Sequence, residues 1–476
     1  MSDPGHAGEG GQTPPWPPFD PNAAHQRRPR IRAVRGFGMQ QGEQMLLGLA
    51  DARQISDKIV VTSPAAQTIL PHLTGEHELA EIVRRVNESL SGPQYANVRV
   101  DKLTEPVLQQ FVAQLDDAGL LEGPTFDRML EKIRDDFDKS EHLPPSVTAN
   151  FADTLVLAEL GEEASDEQKT ELGPTKMRGQ FERWIGEALE KAKDPSFDAL
   201  PKAIVAPHLD YGRGWPNYAH AYGRCRVVDR PDRVLILGTN HFGFGTGVVG
   251  SDKGFETPFG VSPLDTKFAD ALRAALGDEN AEKLFEHRYD HEREHSIELN
   301  VAWVQHVFGP TPTDVEGEHI PVFAALVHDP VQKNGESYDG TGLSLDAFVN
   351  GVKSAMQKVG GRTLVVASAD LSHVGPQFGD QTPLAGDEQS NPTGVAARNK
   401  AIEHDRRMLE FLTKNKPNDM LAAMTWQRNP TRWCSIGNLV ATMRIVEPTE
   451  FRLLQYTAAM DQQGMSMVSS CAAAMF

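Results

Sequence analysis

The hydrophobic pattern of the chain changes near residue 200, and the part after it predicts a layered α/β domain. Short apolar runs rich in β-branched residues alternate there with helical patterns. The runs are AIVA at 203–206, VLILG at 234–238, IPVFAALV at 320–327 and TLVVAS at 363–368. Apolar runs of this length, separated by helices, are typical of strands buried on both faces of a mainly parallel sheet. We therefore predict an α/β domain over residues 201–476, with helices covering the sheet.

Residues 36–124 predict a smaller, separate α+β domain. The strand-like run QMLLGLADARQ is followed by DKIVVTS, which ends at Ser63 before a proline, a pair that favours the start of a helix. Apolar residues then recur at helical spacing at Leu79, Ile82 and Val86. A third helical stripe ends near Gly119, a residue suited to terminating a helix. The expected content is two strands and three helices.

The segments on either side of this small domain show weaker patterns. Residues 1–35 are rich in glycine, proline and arginine and predict a disordered arm. Residues 125–200 contain charged stretches with a few helical stripes and predict a helical linker. The N-terminal segment lacks the apolar run of a signal peptide, and no later run is long enough to cross a bilayer. We therefore expect a cytoplasmic protein without a membrane role.

Composition narrows the choice of partner and compartment. The 476 residues include 47 Lys and Arg against 66 Asp and Glu, so the net charge is −19. Such a molecule repels polyphosphate as a whole, which argues against nucleic acid as its partner. The chain has only three cysteines but 16 histidines. An odd, sparse cysteine count favours a reducing compartment over a disulfide framework.

Polar residues capable of binding a metal follow three of the four predicted strands. AIVA leads to His208, and VLILG leads to His241. TLVVAS leads to Asp370, with His373 three residues later. Because ligands of open α/β sheets bind beyond the carboxyl ends of the strands, these side chains are expected at one shared edge. Their position predicts a metal or acid–base site there.

Two other motifs suggest different chemistry. GTGVVG at 245–250 has the spacing of a dinucleotide-binding loop but does not open into a helix, so we reject that interpretation. HEREH, which contains His291 and His295, has the H-E-x-x-H spacing of a zinc peptidase and is kept as an alternative. Glu294, His295 and Glu298 lie at the start of a predicted helix near the same edge, where they could cap helices, support a ligand or bind the metal themselves.

The small domain resembles a winged-helix unit of the PqqD type. The resemblance rests on the order of its elements and on its ending, Leu115 to Leu121. It implies that a peptide docks on a sheet edge by strand addition, and it leaves open a purely structural cap. A non-catalytic, peptide-binding adaptor is therefore a second hypothesis for the whole chain.

The large domain resembles the MEMO family, whose bacterial members are often called AmmeMemoRadiSam system protein B. Five ordered blocks carry the resemblance. They are APHLDYGRGWPNYAHAY from Ala206, ILGTNH from Ile236, EHSIEL from Glu294, SADLSHVG from Ser368 and the ending VSSCAAAMF. The resemblance implies a fold similar to the LigB-type extradiol dioxygenases, with a metal pocket at the strand ends.

Carried over residue by residue, the resemblance implies a specific site. His208 and His241 match the two metal-binding histidines, and Cys434 matches the cysteine that replaces the dioxygenases' ligand carboxylate. Asp370 and His373 match the D-x-x-H pair of the same pocket and are the expected catalytic residues. Two imidazoles and a thiolate form a soft donor set, and we expect one iron or copper ion in preference to zinc, with redox or dioxygen chemistry. The name of the bacterial system implies AMMECR-domain and radical SAM proteins as partners.

Overall fold

The computed structural model describes residues 17–42, 44–91, 102–309, 319–331 and 337–476. The chain forms two compact units, Met1–Asp136 and Phe137–Phe476. The first extends beyond the predicted limits 36–124 at both ends, and the second begins well before residue 201. Each unit has its own hydrophobic core.

Among its described residues, the N-terminal unit contains three antiparallel strands rather than two. Its helices and strands are α1 (Ala24–Arg27), β1 (Val34–Gln41), β2 (Gln44–Asp51), β3 (Ile59–Thr62), α2 (Leu79–Leu90), α3 (Glu105–Asp117) and α4 (Pro124–Lys139), the last of which continues into the second unit. The sheet order is β1-β2-β3. The predicted capping at Ser63 occurs, with its side chain accepting the Ala65 N–H, but it opens a 3₁₀ turn and not an α-helix.

The described part of the predicted disordered arm, residues 17–35, is structured. Gln26 is buried and donates to Asp116 at 2.7 Å. Arg32 is also buried, and its guanidinium donates both to Asp51 and to the Gly119 carbonyl. The amino-acid composition does not indicate this order. Arg32 bonds to Asp51 and Gly119, which are distant in the sequence, and no local pattern predicts such contacts. Residues 1–16 lie outside the described residues.

In the part of the second unit that the structure describes, the core element is an eight-stranded mixed sheet. Its strands are β5 (Ala203–Ala206), β6 (Arg233–Thr239), β7 (Val248–Gly250), β10 (Val322–Val327), β11 (Thr363–Ser368), β12 (Asp370–Val374), β13 (Phe451–Met460) and β14 (Met467–Met475). Their order is β12-β14-β5-β11-β6-β10-β7, with β13 also paired to β14. The four predicted strands, β5, β11, β6 and β10, are the parallel centre. The added strands are antiparallel, so the expectation of a mainly parallel sheet holds for the centre only.

Helices cover both faces of this sheet. They are α5 (Val147–Leu160), α6 (Asp166–Leu189), α7 (Tyr211–Tyr222), α8 (Thr266–Phe285), α9 (His295–Phe308), α10 (Leu345–Val359), α11 (Pro392–Thr413), α12 (Pro417–Gln427) and α13 (Ile436–Val446). A small sheet of β4 (His142–Leu143), β8 (Gly254–Thr257) and β9 (Gly260–Ser262) completes the unit. Successive residues of β6 alternate between two cores: Val234 and Ile236 face α6, α7 and α9, whereas Leu235 and Leu237 face α8, α10 and α13. Among the described residues, no helix is long and apolar enough to cross a membrane.

The predicted linker, residues 125–200, contributes to the core of the second unit. Helix α6 carries a stripe at helical spacing, Met177, Phe181 and Ile185, that is fully buried. The Phe181 ring stacks on that of Trp303 in α9, with 4.0 Å between centroids. The charged residues of this segment lie on the other faces of its helices. Because they dominate the local sequence, the buried stripe was not predicted.

Candidate metal centre

Three of the predicted residues meet at the carboxyl edge of the parallel strands. The donor atoms of His208, His241 and Cys434 all lie within 4.8 Å of one another, a separation that allows one metal ion to bind all three. Cys434 Sγ lies 3.3 Å from His208 Nε2. The thiol is only partly buried, whereas His208 is 2% exposed. The three residues therefore form a preassembled donor group with one accessible side.

The topology explains why residues so far apart in sequence come together. His208 follows β5 and His241 follows β6, two strands of the parallel centre that both flank β11. Cys434 lies just before α13, which packs on the same strands. All three therefore reach the edge at which parallel strands end, as the rule for open α/β sheets requires.

Hydrogen bonds orient the two imidazoles for metal binding. His208 Nδ1 lies 3.2 Å from the Ser368 carbonyl, and because a carbonyl only accepts, this nitrogen carries the proton. The lone pair of His208 Nε2 then faces Cys434. His241 Nδ1 lies 3.0 Å from Glu294 Oε1, and the other carboxylate oxygen of Glu294 accepts the backbone N–H of His241. Such bonds to the distal nitrogen are the usual support of metal-ligating histidines.

The approach of α9 to the end of β6 depends on Gly238. A Cβ at this position would lie 2.5 Å from Ser296 Oγ, so a larger residue would push the helix away. With glycine there, the Ser296 hydroxyl donates to the Thr239 carbonyl and accepts the Thr239 N–H. This contact holds Glu294, the N-cap of α9, beside His241.

Asp370 lies against His208 and is almost completely buried. Its carboxylate accepts the His208 N–H at 3.2 Å, and its other oxygen is 3.6 Å from His208 Nε2. Burial raises the pKa of Asp370 to about 7, because a charged carboxylate loses its hydration there. This carboxyl can therefore exist in both protonation states near neutral pH.

His373 lies on β12, close enough to His208 and His241 for their charges to influence one another. Its Nδ1 donates to the Leu371 carbonyl at 2.9 Å, which leaves Nε2 as an acceptor. Burial, together with the charge of His241, lowers the pKa of His373 to about 4, so the ring is neutral at pH 7. Arg432 fixes this residue by donating to its carbonyl.

A cleft of about 490 Å³ leads to the donor group. Its lining residues are Thr239, Asn240, His241, Asp329, Val331, Arg428, Asn429, Arg432, Trp433 and Cys434. Three of them, Arg428, Asn429 and Arg432, adopt left-handed backbone conformations with φ of 58°, 46° and 57°. Non-glycine residues are rare in this region and are often held there at functional sites. The volume is ample for a small molecule.

His295 lies in this pocket as the first residue of α9, the helix whose start the sequence places near the strand ends. Its ring stacks on that of His241 with 5.1 Å between centroids and meets His208 edge-on at 5.7 Å. Its Nδ1 lies 3.4 Å from Glu294.

The structure does not support a zinc peptidase at His291 and His295. His291 lies in a 3₁₀ turn that ends before α9, so the two rings do not share the face of one helix. The His291 ring is buried and contacts the Val249 carbonyl through Nε2 at 3.1 Å. In the described ranges, no group of potential metal ligands contains His291.

A family model described as "Memo-like protein" matches residues 173–476 of this chain. The match begins inside α6, in agreement with the burial of that helix in the second unit.

Three individual relatives illustrate the similarity. A MEMO1 family protein of Methanopyrus kandleri is 28% identical over 267 residues, which cover 55% of this chain and 77% of the relative. One from Methanothermobacter thermautotrophicus is 28% identical over 272 residues, covering 55% and 79%. Another, from Desulfurococcus amylolyticus, is 28% identical over 208 residues, covering 43% and 65%.

Proposed function

Because this chain belongs to the Memo-like family, with the match spanning most of its second unit, we propose that it is a metalloprotein of that family. One transition-metal ion is held by His208, His241 and Cys434, and a small molecule reaches it through the cleft. The observation that carries this proposal is the convergence of three donors from separate elements, with both imidazoles oriented through Nδ1.

The donor set fits a soft, redox-active metal. Two imidazoles and one thiolate form a softer set than two imidazoles and a carboxylate, and copper or thiolate-bound iron suits it well. The thiol lies beside an imidazole nitrogen and the Ser435 hydroxyl, polar neighbours that suit a thiolate once a metal is bound. We therefore favour iron or copper over zinc.

A metal with open coordination positions would supply electron transfer to dioxygen or to a bound small molecule. Asp370 and His373 are then the groups that handle protons. The Asp370 carboxyl, with its pKa near 7, can hold a proton beside His208. The neutral His373 can accept one at Nε2.

Metal analysis of anaerobically purified protein tests this proposal. Wild-type protein should contain about one equivalent of iron or copper, and the double variant His208→Ala, His241→Ala should contain almost none. A matched control replaces two other buried histidines of the same unit, His306→Ala and His319→Ala, and should keep the metal. Equal metal in both double variants would contradict the assignment.

A second function, peptide binding by the N-terminal unit, is favoured by the edge strand β3. Within the described residues β3 pairs only with β2, and Ile59 and Val61 on β3 are 50% and 41% exposed. An extended apolar peptide could add to this edge through backbone hydrogen bonds. Pull-down with residues 1–136 tests it, since a fragment starting at residue 36 would remove the buried Arg32. A charged variant, Val61→Lys, should abolish capture; capture that is unchanged, or absent from wild type, would refute peptide binding.

Two further proposals concern partners and location. The family resemblance supports a partnership with AMMECR-domain and radical SAM proteins. The free cysteines support a cytoplasmic location. Co-purification from the native host under reducing conditions tests the partnership.

A further inference from the structure

A second set of metal-binding groups lies directly beside the first and shares one residue with it. The ligand atoms of His241, Glu294 and His295 also lie within 4.8 Å of one another. Glu294 Oε1 is 3.0 Å from His241 Nδ1 and 3.4 Å from His295 Nδ1. Two ligands bound at right angles, each about 2.1 Å from one ion, are about 3 Å apart. The three groups therefore have the separations of ligands on a single ion.

The local structure holds these groups rigidly. The side chain of Glu294 is 1% exposed, and the N–H groups of His241 and Ser296 fix its carboxylate. His295 is the first residue of α9, and its ring is stacked against that of His241. The carboxylate thus supplies an oxygen donor between two imidazoles without any change of the backbone.

The chemistry of this set differs from that of the first. Two histidines and one carboxylate, with open positions, form the set that non-haem Fe(II) proteins use, and it contains no thiolate. We propose that His241, Glu294 and His295 form a second metal-binding position, selective for harder divalent ions such as Fe(II) or Mn(II), which alternates with the His208–His241–Cys434 position. The alternation rests on the proposed function, because His241 serves both positions.

The shared imidazole makes the two positions mutually exclusive. A neutral imidazole has one protonated nitrogen and one lone pair. When His241 Nδ1 donates to Glu294, only Nε2 can bind a metal; when Nδ1 binds a metal instead, its proton moves to Nε2 and the first position loses a ligand. One ion per chain is therefore expected, and its position depends on its hardness.

Anaerobic titration with Co(II) distinguishes the two positions, because a bound thiolate gives an intense near-ultraviolet charge-transfer band. Wild-type protein should bind one Co(II) with this band. The Cys434→Ala variant should still bind one Co(II), without the band. Adding His295→Ala or Glu294→Gln to Cys434→Ala should weaken binding more than about 100-fold, beyond the 10–100-fold loss typical of a residue that only supports a ligand. Glutamine can still accept the Ser296 N–H, so that variant tests ligation with the helix cap preserved.

The matched control is Cys434→Ala with His291→Ala, which removes a buried neighbouring histidine outside the donor set and should bind Co(II) as Cys434→Ala does. Circular dichroism verifies the fold of each variant. Loss of Co(II) in Cys434→Ala alone would overturn the second position and leave the proposed function intact. Binding without a thiolate band in wild type, abolished by His295→Ala, would support the second position and overturn the first.

Discussion

At the scale of single residues, the buried carboxylate of Asp405 links the residue before Cys434 to β12, the strand that carries His373. It accepts hydrogen bonds from the Trp433 indole at 2.7 Å and from the Ser372 hydroxyl at 2.5 Å. Trp433 precedes Cys434, and Ser372 precedes His373. Tyr456 and Ser469 donate to its other oxygen. One carboxylate thus positions two residues of the candidate site.

We therefore predict that Asp405→Asn lowers both stability and metal affinity. The amide presents N–H groups to at least one pair of donors, and leaving buried donors unpaired should cost about 2–3 kcal/mol in the free energy of unfolding. Metal affinity should fall about 10–100-fold because the loop is released. Urea denaturation and metal titration measure the two effects. Asp387→Asn, in an exposed turn, is the control and should change stability by less than about 0.5 kcal/mol.

We predict that His220 on α7 makes the stability of the folded protein sensitive to acid. Burial and the charge of Arg224 lower its pKa to about 4, and its Nδ1 accepts from Arg224 at 2.8 Å. In the unfolded chain this group takes up a proton below about pH 6.5, whereas in the folded protein it does so only near pH 4. Its contribution to stability is thus lost as pH falls from 6.5 to 4, by at most about 3 kcal/mol.

The variant His220→Gln should therefore lose less stability than wild type between pH 6.5 and 4, as measured by urea denaturation at several pH values. Identical slopes in the two proteins would show that this histidine does not titrate as expected.

At the scale of elements, the N-terminus of α5 depends on a carboxylate from another helix. Glu298 of α9 accepts the N–H groups of Ser146, Val147 and Thr148 and the Thr148 hydroxyl. This is an N-cap supplied from a residue about 150 positions away, and it ties α5 to the helix that carries Glu294 and His295. The sequence allowed a capping role for Glu298, but only packing reveals which helix it caps.

Replacing Glu298 should destabilise the folded protein. We predict that Glu298→Ala lowers the free energy of unfolding by about 2–3 kcal/mol, because three helix N–H groups lose a buried charged acceptor. Thermal or urea unfolding measures the loss. Glu159→Ala on α5 removes only an exposed ion pair with Lys176 and should cost less than about 1 kcal/mol. Equal effects of the two substitutions would contradict the role of Glu298.

At the scale of the whole molecule, the division between the two compact units lies at residues 136 and 137, inside the predicted linker of residues 125–200. A fragment that starts at Pro201 would lack α6 and expose the face on which Phe181 stacks against Trp303. We predict that this fragment aggregates, because the exposed patch is large and aromatic. The fragment Phe137–Phe476 should remain soluble, fold cooperatively and bind metal as the full chain does. Light scattering, circular dichroism and metal analysis compare the two; a soluble, metal-binding fragment from Pro201 would contradict this division.

The sequence by itself determined the elements whose residues interact locally. The four central strands are continuous apolar runs, and α2 and α3 follow their helical stripes because side chains three and four positions apart share a helix face. The placement of His208 and His241 at the strand ends followed from the same logic, since parallel strands end at one edge.

Tertiary structure alone decided which distant groups meet. The pairing of Glu294 with both His241 and His295, the buried contact of Arg32 with Asp51 and the packing of α6 into the core all join residues that no local pattern connects. Burial changes the energetics of such groups, because a polar or charged side chain removed from water must find a partner. Which partner such a side chain contacts depends on the fold as a whole and not on the neighbouring sequence.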